Sequence, residues 1–249
     1  MDTKLTLGIC SLFRDSVSWH GRKTGQLDRY FAQLVEQKLN IPDKEIGVFA
    51  LENASIDDTL QQLRKKQESM PQLHIFNTHY ESGAVESVVS AATPKRLRAL
   101  GLLGSSMLTI VRQRCKNIIW LESDLVIDNP NLFASLLEQA IKLQAMVGPI
   151  PLIKVNNVDL FYDTWGYINM DGTHWTNNYG IPPNRLLEMK SIGTCAVLPT
   201  AVLESSADFN DLAFQGLCTT TRAAGIKIFT DTRLRIYHPS SQFIAGRWV

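Results

Sequence analysis

An apolar run, Ile118-Ile119-Trp120-Leu121, leads directly into Glu122-Ser123-Asp124. In an extended segment alternate side chains share a side, so Glu122 and Asp124 can face one ligand from the strand's end. Two hard carboxylates at a site that also receives a diphosphate suit Mg2+ or Mn2+, ions that keep part of their octahedral shell for phosphate oxygens. The ion would offset charge growing on a departing phosphate, an electrophilic role. An acidic pair after a strand is equally a solvated helix cap, so it gains weight only from its company. His238 is a second candidate ligand, closing Arg235-Ile236-Tyr237-His238 just before Pro239. A strand-end histidine on its own is more often a structural hydrogen-bonding residue.

These residues need elements to hold them. Leu5 to Leu12 reads as a buried first strand that ends in a polar loop at Ser11 and Arg14. Leu27 to Leu39 follows with apolar residues at a helical period, closed by Pro42. Ile46 to Leu51 is a second strand. Ser55 and Asp58 then open a helix over Asp58 to Lys66 in the manner of a capping box. Leu73 to Thr78 is a third strand, and Thr93 to Cys115 a long helix with Pro94 at its first position, in spite of Gly101 and Gly104. Asn117 to Leu121 delivers the acidic pair. A helix over Pro130 to Leu143 and a strand over Met146 to Ile153 follow.

From Asn156 to Arg185 the pattern loosens into Asn, Asp, Gly, Tyr and Trp, a composition common in recognition loops. Trp165, Tyr167, Trp175 and Tyr179 offer flat faces for a sugar ring or base, or else pack beneath the loop. Gly193, in Ser191-Ile192-Gly193-Thr194-Cys195, suits either a plain turn or a point where a ligand approaches backbone. The order resumes with a strand over Thr194 to Leu198, a helix over Asp211 to Ala224, and strands over Lys227 to Thr230 and Leu234 to His238. Alternating strands and helices predict one α/β domain over residues 1–249, with a central, mostly parallel sheet flanked by helices.

The 249 residues carry 25 basic and 24 acidic side chains for a net charge of +1, so no global positive field is available to capture polyanions. With 45% hydrophobic and 20% charged residues the chain reads as globular rather than disordered. Cys10, Cys115, Cys195 and Cys218 lie far apart in apolar stretches, which predicts reduced, buried thiols. No signal peptide and no stretch of about 20 apolar residues is expected, so the cytoplasm is the expected compartment.

Several segments resemble those of known enzymes. Leu51-Glu52-Asn53-Ala54-Ser55-Ile56-Asp57-Asp58-Thr59 is similar to the acidic signature after the second strand of GT-A glycosyltransferases, and Glu122-Ser123-Asp124 resembles their DxD motif. Phe161-Tyr162-Asp163-Thr164-Trp165 and the block from Phe214-Gln215-Gly216 to Tyr237-His238 resemble the fungal Golgi mannosyltransferases of mannan polymerase and related capsule-associated mannosyltransferases. The resemblance implies a GT-A, Rossmann-like fold and a nucleoside-diphosphate sugar as donor. It places Ser11, Leu12 and Arg14 under the nucleotide, Glu52 at its ribose or base, Asp57 on the loop or the base edge, and Ser123 and Gly193 beside the donor. Glu122, Asp124 and His238 would hold Mn2+ or Mg2+.

Two departures from that pattern bear on the reading. Glu122 replaces the first Asp of the motif, a longer reach that favours contact through water. Gly104-Ser105 stands where the fungal enzymes carry Arg-Asn, so the donor sugar need not be mannose. Asp211 falls where inverting relatives keep a general base, whereas the fungal enzymes retain configuration and imply none; retention is the expectation. Asp163 would orient the donor or acceptor sugar. The acceptor is a glycan, a small molecule or a modified DNA base of the kind some viruses decorate. Lys95-Arg96-Arg98, Arg112-Arg114-Lys116 and Arg22-Lys23 could track phosphates in the DNA case, although solvated helix faces have the same look. A further alternative is a non-catalytic sugar-nucleotide-binding protein, since a fold does not dictate an activity.

Overall fold

The computed structural model describes residues 4–19, 22–80, 93–176, 182–239, 243–244 and 247–248. In chain order the strands are β1 (Leu5–Phe13), β2 (Ser18–Trp19), β3 (Arg22–Lys23), β4 (Ile46–Asn53), β5 (Leu73–Thr78), β6 (Cys115–Leu121) and β7 (Met146–Val155). After them come β8 (Val158–Phe161), β9 (Ile168–Asn169), β10 (Leu186–Ser191), β11 (Cys195–Leu198), β12 (Ile228–His238), β13 (Phe243–Ile244) and β14 (Arg247–Trp248). The helices are α1 (Gln26–Val35), α2 (Thr59–Ser69), α3 (Pro94–Arg114), α4 (Leu132–Leu143), α5 (Thr200–Leu203) and α6 (Phe214–Ala223).

A ten-stranded sheet runs in the order β5-β4-β1-β6-β11-β7-β12-β10-β9, with β8 paired to β7. β1 is parallel to both β4 and β6, β4 to β5, and β12 to β7. β11 lies antiparallel between β6 and β7, so those two strands point the same way. This is the α/β architecture with a mostly parallel sheet that alternation predicted. The chain leaves β1 toward β4 and β5, then returns through α3 to β6 on the other side. β1 is thus a topological switch point, and ligands of open α/β sheets bind beyond the C-terminal ends of such strands.

Two apolar layers sandwich the sheet because successive strand residues face opposite sides. Cys10, Phe49, Ile118 and Trp120 pack with Leu103, Met107 and Val111 of α3 and Leu217 of α6. Leu7, Ile9, Val48, Ile119 and Leu121 pack with Tyr30 and Phe31 of α1, Leu63 of α2 and Leu136 of α4. All four cysteines are buried and free, as expected.

Several boundaries differ from the sequence reading. α1 ends at Val35 because Lys38 turns its N–H to the Pro130 carbonyl, 2.8 Å away. α2 has no capping box: Asp58 makes no side-chain cap, and Asp57 Oδ1 accepts from the Thr59 N–H instead. α6 begins at Phe214, after a turn in which Leu212 donates to Asn210 Oδ1 and Ala213 takes a φ of 52°. The last two expected strands are one, β12, with a bulge between Asp231 and Arg235. That bulge is locked by fully buried Asp231, which accepts from Arg233 and from Gln139. The loosely patterned stretch contains a hairpin, β7 to β8, turned by Asn156 and Asn157 at φ of 51° and 63°. The Asn-Asn pair was its legible signal.

Candidate active site

The carboxyl ends of β1, β4, β6 and β12 share one edge of the sheet, and of the donor, metal and catalytic candidates all but Asp163, Gly193 and Asp211 lie on or just after one of them. On the β1 and β4 side, two loops are stapled together. Asp57 Oδ2 accepts the backbone N–H groups of Val17 and Ser18 at 2.9 and 2.7 Å, while its Oδ1 caps Thr59. Asp15 Oδ1 accepts from Ile56 N–H, and Asp15 N–H donates to Ser55 Oγ. Burial pushes the Asp57 carboxyl up, but these donated hydrogen bonds outweigh it and hold the group below its usual range.

Beneath these loops lie struts. The fully buried Ser11 hydroxyl donates to the Leu121 carbonyl at 2.6 Å and bonds the Tyr30 hydroxyl at 2.7 Å, tying β1 to β6 and α1. Leu12 is half-buried against the core, and Arg14 pairs with Asp15 at 3.6 Å. Glu52 was expected to touch the ribose or base, but it is 1% exposed. Both its oxygens are occupied, by Ser55 N–H and by Asn77. Glu52 shapes the loop from below, because a carboxylate two residues from the strand's buried core can be satisfied only by inward donors.

At the β6 exit, Asp124 Oδ2 and His238 Nε2 approach to 3.1 Å. His238 is 5% exposed, and its ring lies against that of Tyr162. Burial raises the Asp124 carboxyl, and the hydrogen bond and charge of His238 overcome that and bring it below the ordinary range. Glu122 is exposed at the surface, and its N–H is fixed by the Thr194 carbonyl at 3.0 Å. Crowding by protein, followed by the negative charges of Asp124 and Asp163, drives its carboxyl up, with Arg96 pulling the other way. Among the described residues no group of three His, Cys, Asp or Glu forms a closed metal cage. The expected trio is therefore a close pair, Asp124 with His238, and a third carboxylate that acts on it through its field.

Asp163 adds a further charge. It follows β8, and Gly166 N–H donates to its Oδ1 at 2.8 Å. Burial lifts its carboxyl to about 6, against the backbone donors and the charges of His238 and His174. Gly193 faces it: a Cβ there would collide with Asp163 Oδ2, so the glycine is required by the carboxylate rather than by a bare turn. Asp211 lies apart, exposed, with its side chain 77% accessible and paired with Arg98 at 3.7 Å. Gly101 and Gly104, anomalous in a helix, explain its place. A Cβ at Gly101 would strike the Asn210 carbonyl and one at Gly104 the Phe209 ring, so bare helix surface admits the turn that carries Asp211.

For two of the four loop aromatics the packing alternative holds. Tyr167 and Trp175 are fully buried around Phe161, with Tyr167 Oη on the Pro149 carbonyl and Trp175 Nε1 on Asn169. Their hydroxyl and indole N–H find partners inside, which is the condition for burying such rings. Trp165 stays half-buried, and Tyr179 lies outside the described residues. Three of the basic groups have partners within the chain: Arg112 donates to the Ala207 carbonyl, Arg114 lies over Phe76 and Arg98 pairs with Asp211.

Sequence reasoning missed a polar stripe that runs along α1 and just past its end. Gln26 donates to Ser123 Oγ, Arg29 to the Asp124 carbonyl, Gln33 to the Leu125 carbonyl and Gln37 to the Asn129 carbonyl. Gln33 and Gln37 also accept from Ile127 and Phe133 N–H. The positions 26, 29, 33 and 37 recur at helical spacing and were a readable polar stripe. The stripe grips the backbone on which Ser123 and Asp124 sit.

No protein-family model and no curated protein sequence matches the chain. Solved structures do match in fold. TarS of S. aureus, residues 1–349 in complex with UDP, superposes with a TM-score of 0.59 at 13% identity, covering 94% of this chain and 60% of that one. The mannosyltransferase PcManGT from Pyrobaculum calidifontis, in complex with GDP-Man and Mn2+, gives 0.58 at 12% identity, covering 95% and 57%. GalNAc-T7 with UDP, GalNAc and Mn2+ gives 0.62 at 10% identity, covering 99% and 45%. The chain thus spans 60% or less of each of these proteins. Its fold is that of GT-A glycosyltransferases. The likeness to the fungal mannosyltransferases rests on the short motifs alone.

Proposed function

We propose that this chain is a glycosyltransferase that moves a sugar from a nucleoside-diphosphate donor with the help of a divalent ion, Mn2+ or Mg2+. The observation that carries the reading is the 3.1 Å approach of Asp124 Oδ2 and His238 Nε2 at the ligand-binding edge of this sheet. Adjacent ligands of an octahedral ion with bonds of about 2.0–2.1 Å stand about 3 Å apart, so the pair already has the spacing of two neighbouring ligands. Asp124 and His238 would hold the ion together with donor phosphates, and Glu122 would act through water. An oxygen and imidazole set suits Mn2+ as well as Mg2+. When bound, the ion supplies charge stabilisation for the leaving nucleoside diphosphate.

The chain's own residues divide the remaining work. Arg14 and the loops stapled by Asp57 border the nucleotide, with Ser11, Leu12 and Glu52 shaping the floor. Ser123 keeps the acidic turn docked on Gln26. Asp163 and Gly193 lie together on the sugar side, where Asp163 can accept from a sugar hydroxyl while ionised. Asp211 borders the acceptor. The transfer is taken as retaining, following the motif resemblance. Four buried free thiols support a reducing, cytoplasmic setting, and no helix among the described residues is long and apolar enough to cross a membrane.

The test is a Mn2+-dependent hydrolysis screen across UDP- and GDP-sugars with wild type and Asp124→Ala. Turnover of one donor, lost in the variant, is the expected result and names the donor. Absence of both turnover and metal-dependent nucleotide binding would overturn the reading in favour of a protein with no sugar-nucleotide chemistry, while nucleotide binding without turnover would leave a non-catalytic binder. Glycans, small hydroxylated molecules and hydroxymethylated DNA then serve as acceptors. Salt-sensitive retention on DNA would mark the last class.

A further inference from the structure

We propose that Tyr162 is a positioning residue of the ion site, its ring clamping the His238 imidazole so that Nε2 stays turned to Asp124. The inference rests on the ion-assisted reading above. The two rings stack face to face, with centroids 4.0 Å apart and planes 15° from parallel.

Three adjacent strands fix this stack. His238 ends β12 opposite Ile153 of β7, and on the other edge of β7 Phe161 of β8 stands opposite Leu152. Tyr162 follows Phe161, donates its N–H to the Pro151 carbonyl at 3.0 Å, and accepts from Thr164 N–H at 3.0 Å. Its backbone is therefore pinned on both sides. The side chain reaches across β7 and covers one face of the imidazole.

The physical need is clear from the imidazole's own freedom. Its outer torsion is broad and roughly two-fold, so a histidine at a strand end can present either edge to a ligand. A flat wall on one ring face holds the ring plane and limits its swing without taking a ring nitrogen, while the Asp124 contact selects which of the two edges is presented. Outer partners that orient metal-binding residues are typically worth 10–100-fold in metal affinity. The ring and the hydroxyl are separable by substitution.

Mn2+ alone, titrated and read by electron paramagnetic resonance, tests the proposal without turnover. Wild type, Asp124→Ala, Tyr162→Phe and Tyr162→Ala are compared, with Tyr162→Leu as a space-filling replacement should the alanine variant not fold. We expect Tyr162→Phe to bind Mn2+ within about twofold of wild type and Tyr162→Ala, or the leucine variant, to bind about 10-fold or more weakly. Wild-type affinity in the alanine or leucine variant would overturn the proposal and reduce Tyr162 to packing. A wild type that binds no Mn2+ either alone or with UDP or GDP present, or an Asp124→Ala that binds it unchanged, would instead overturn the ion-assisted reading on which the proposal stands.

Discussion

The carbonyl of Asn210 rests against the bare Cα of Gly101, at a distance that no Cβ could share. With Ser105 Oγ donating to the Phe209 carbonyl at 3.2 Å, this contact docks the turn before α6 onto α3 and sets Asp211 beside Arg98. Gly101→Ala should therefore push the turn away. Overpacking of this kind costs about 1–3 kcal/mol, measured as a shift in urea midpoint. Acceptor transfer should fall more than donor hydrolysis, since the nucleotide side is untouched.

Asp211 itself separates the two stereochemical outcomes. In a retaining reaction Asp211→Asn should lower transfer by less than about tenfold, and NMR of the product should show the donor's anomeric configuration. Loss of about 10²–10⁴-fold, the usual worth of a general base, together with an inverted product would reassign Asp211 to that role. Stability should barely change, because an exposed pair such as Arg98 and Asp211 is worth roughly 0–1 kcal/mol.

Glu122 should make the protein less stable as pH rises. Its carboxyl is raised from 4.5 to about 8 in the fold by crowding and by its acidic neighbours. A native state that holds a proton the unfolded chain has released loses stability across that window. The thermal midpoint of Glu122→Gln should thus gain on wild type between pH 5 and pH 8, by differential scanning fluorimetry. Mn2+ should narrow the gap by offsetting the same repulsion, and a gap that shrinks with rising pH without metal would contradict the account.

Asp57→Ala should cost about 1–3 kcal/mol, the scale of hydrogen bonds to a charged group whose partners are left unmade. The Asp57 carboxyl is held low, so its contribution is full above the unfolded value of about 3.9 and disappears as pH falls through the folded one. Urea unfolding at pH 7 and pH 3 should show the variant's full deficit at the first and a smaller one at the second. If these loops border the nucleotide as proposed, UDP and GDP binding should weaken along with it.

What could be read from the amino-acid order was what depends on near neighbours. Periods of 2 and 3.6 revealed the strands and helices, and the run Ile118–Leu121 showed where a strand hands over to Glu122 and Asp124. The Asn156-Asn157 turn and the polar stripe Gln26, Arg29, Gln33 and Gln37 were equally local and went unread. Burial and pairing across the sheet belong to the tertiary structure. Glu52, Tyr167 and Trp175 have the composition of ligand contacts but are turned inward, because which face of a segment meets water depends on what packs against it. The 3.1 Å meeting of Asp124 with His238, the Tyr162 ring over that imidazole, and the Gly101 to Asn210 contact each join segments from separate strands or helices. Spacing along a chain says nothing of such contacts until strand order and register bring the segments together, and here β7, lying between β12 and β8, does so for His238 and Tyr162.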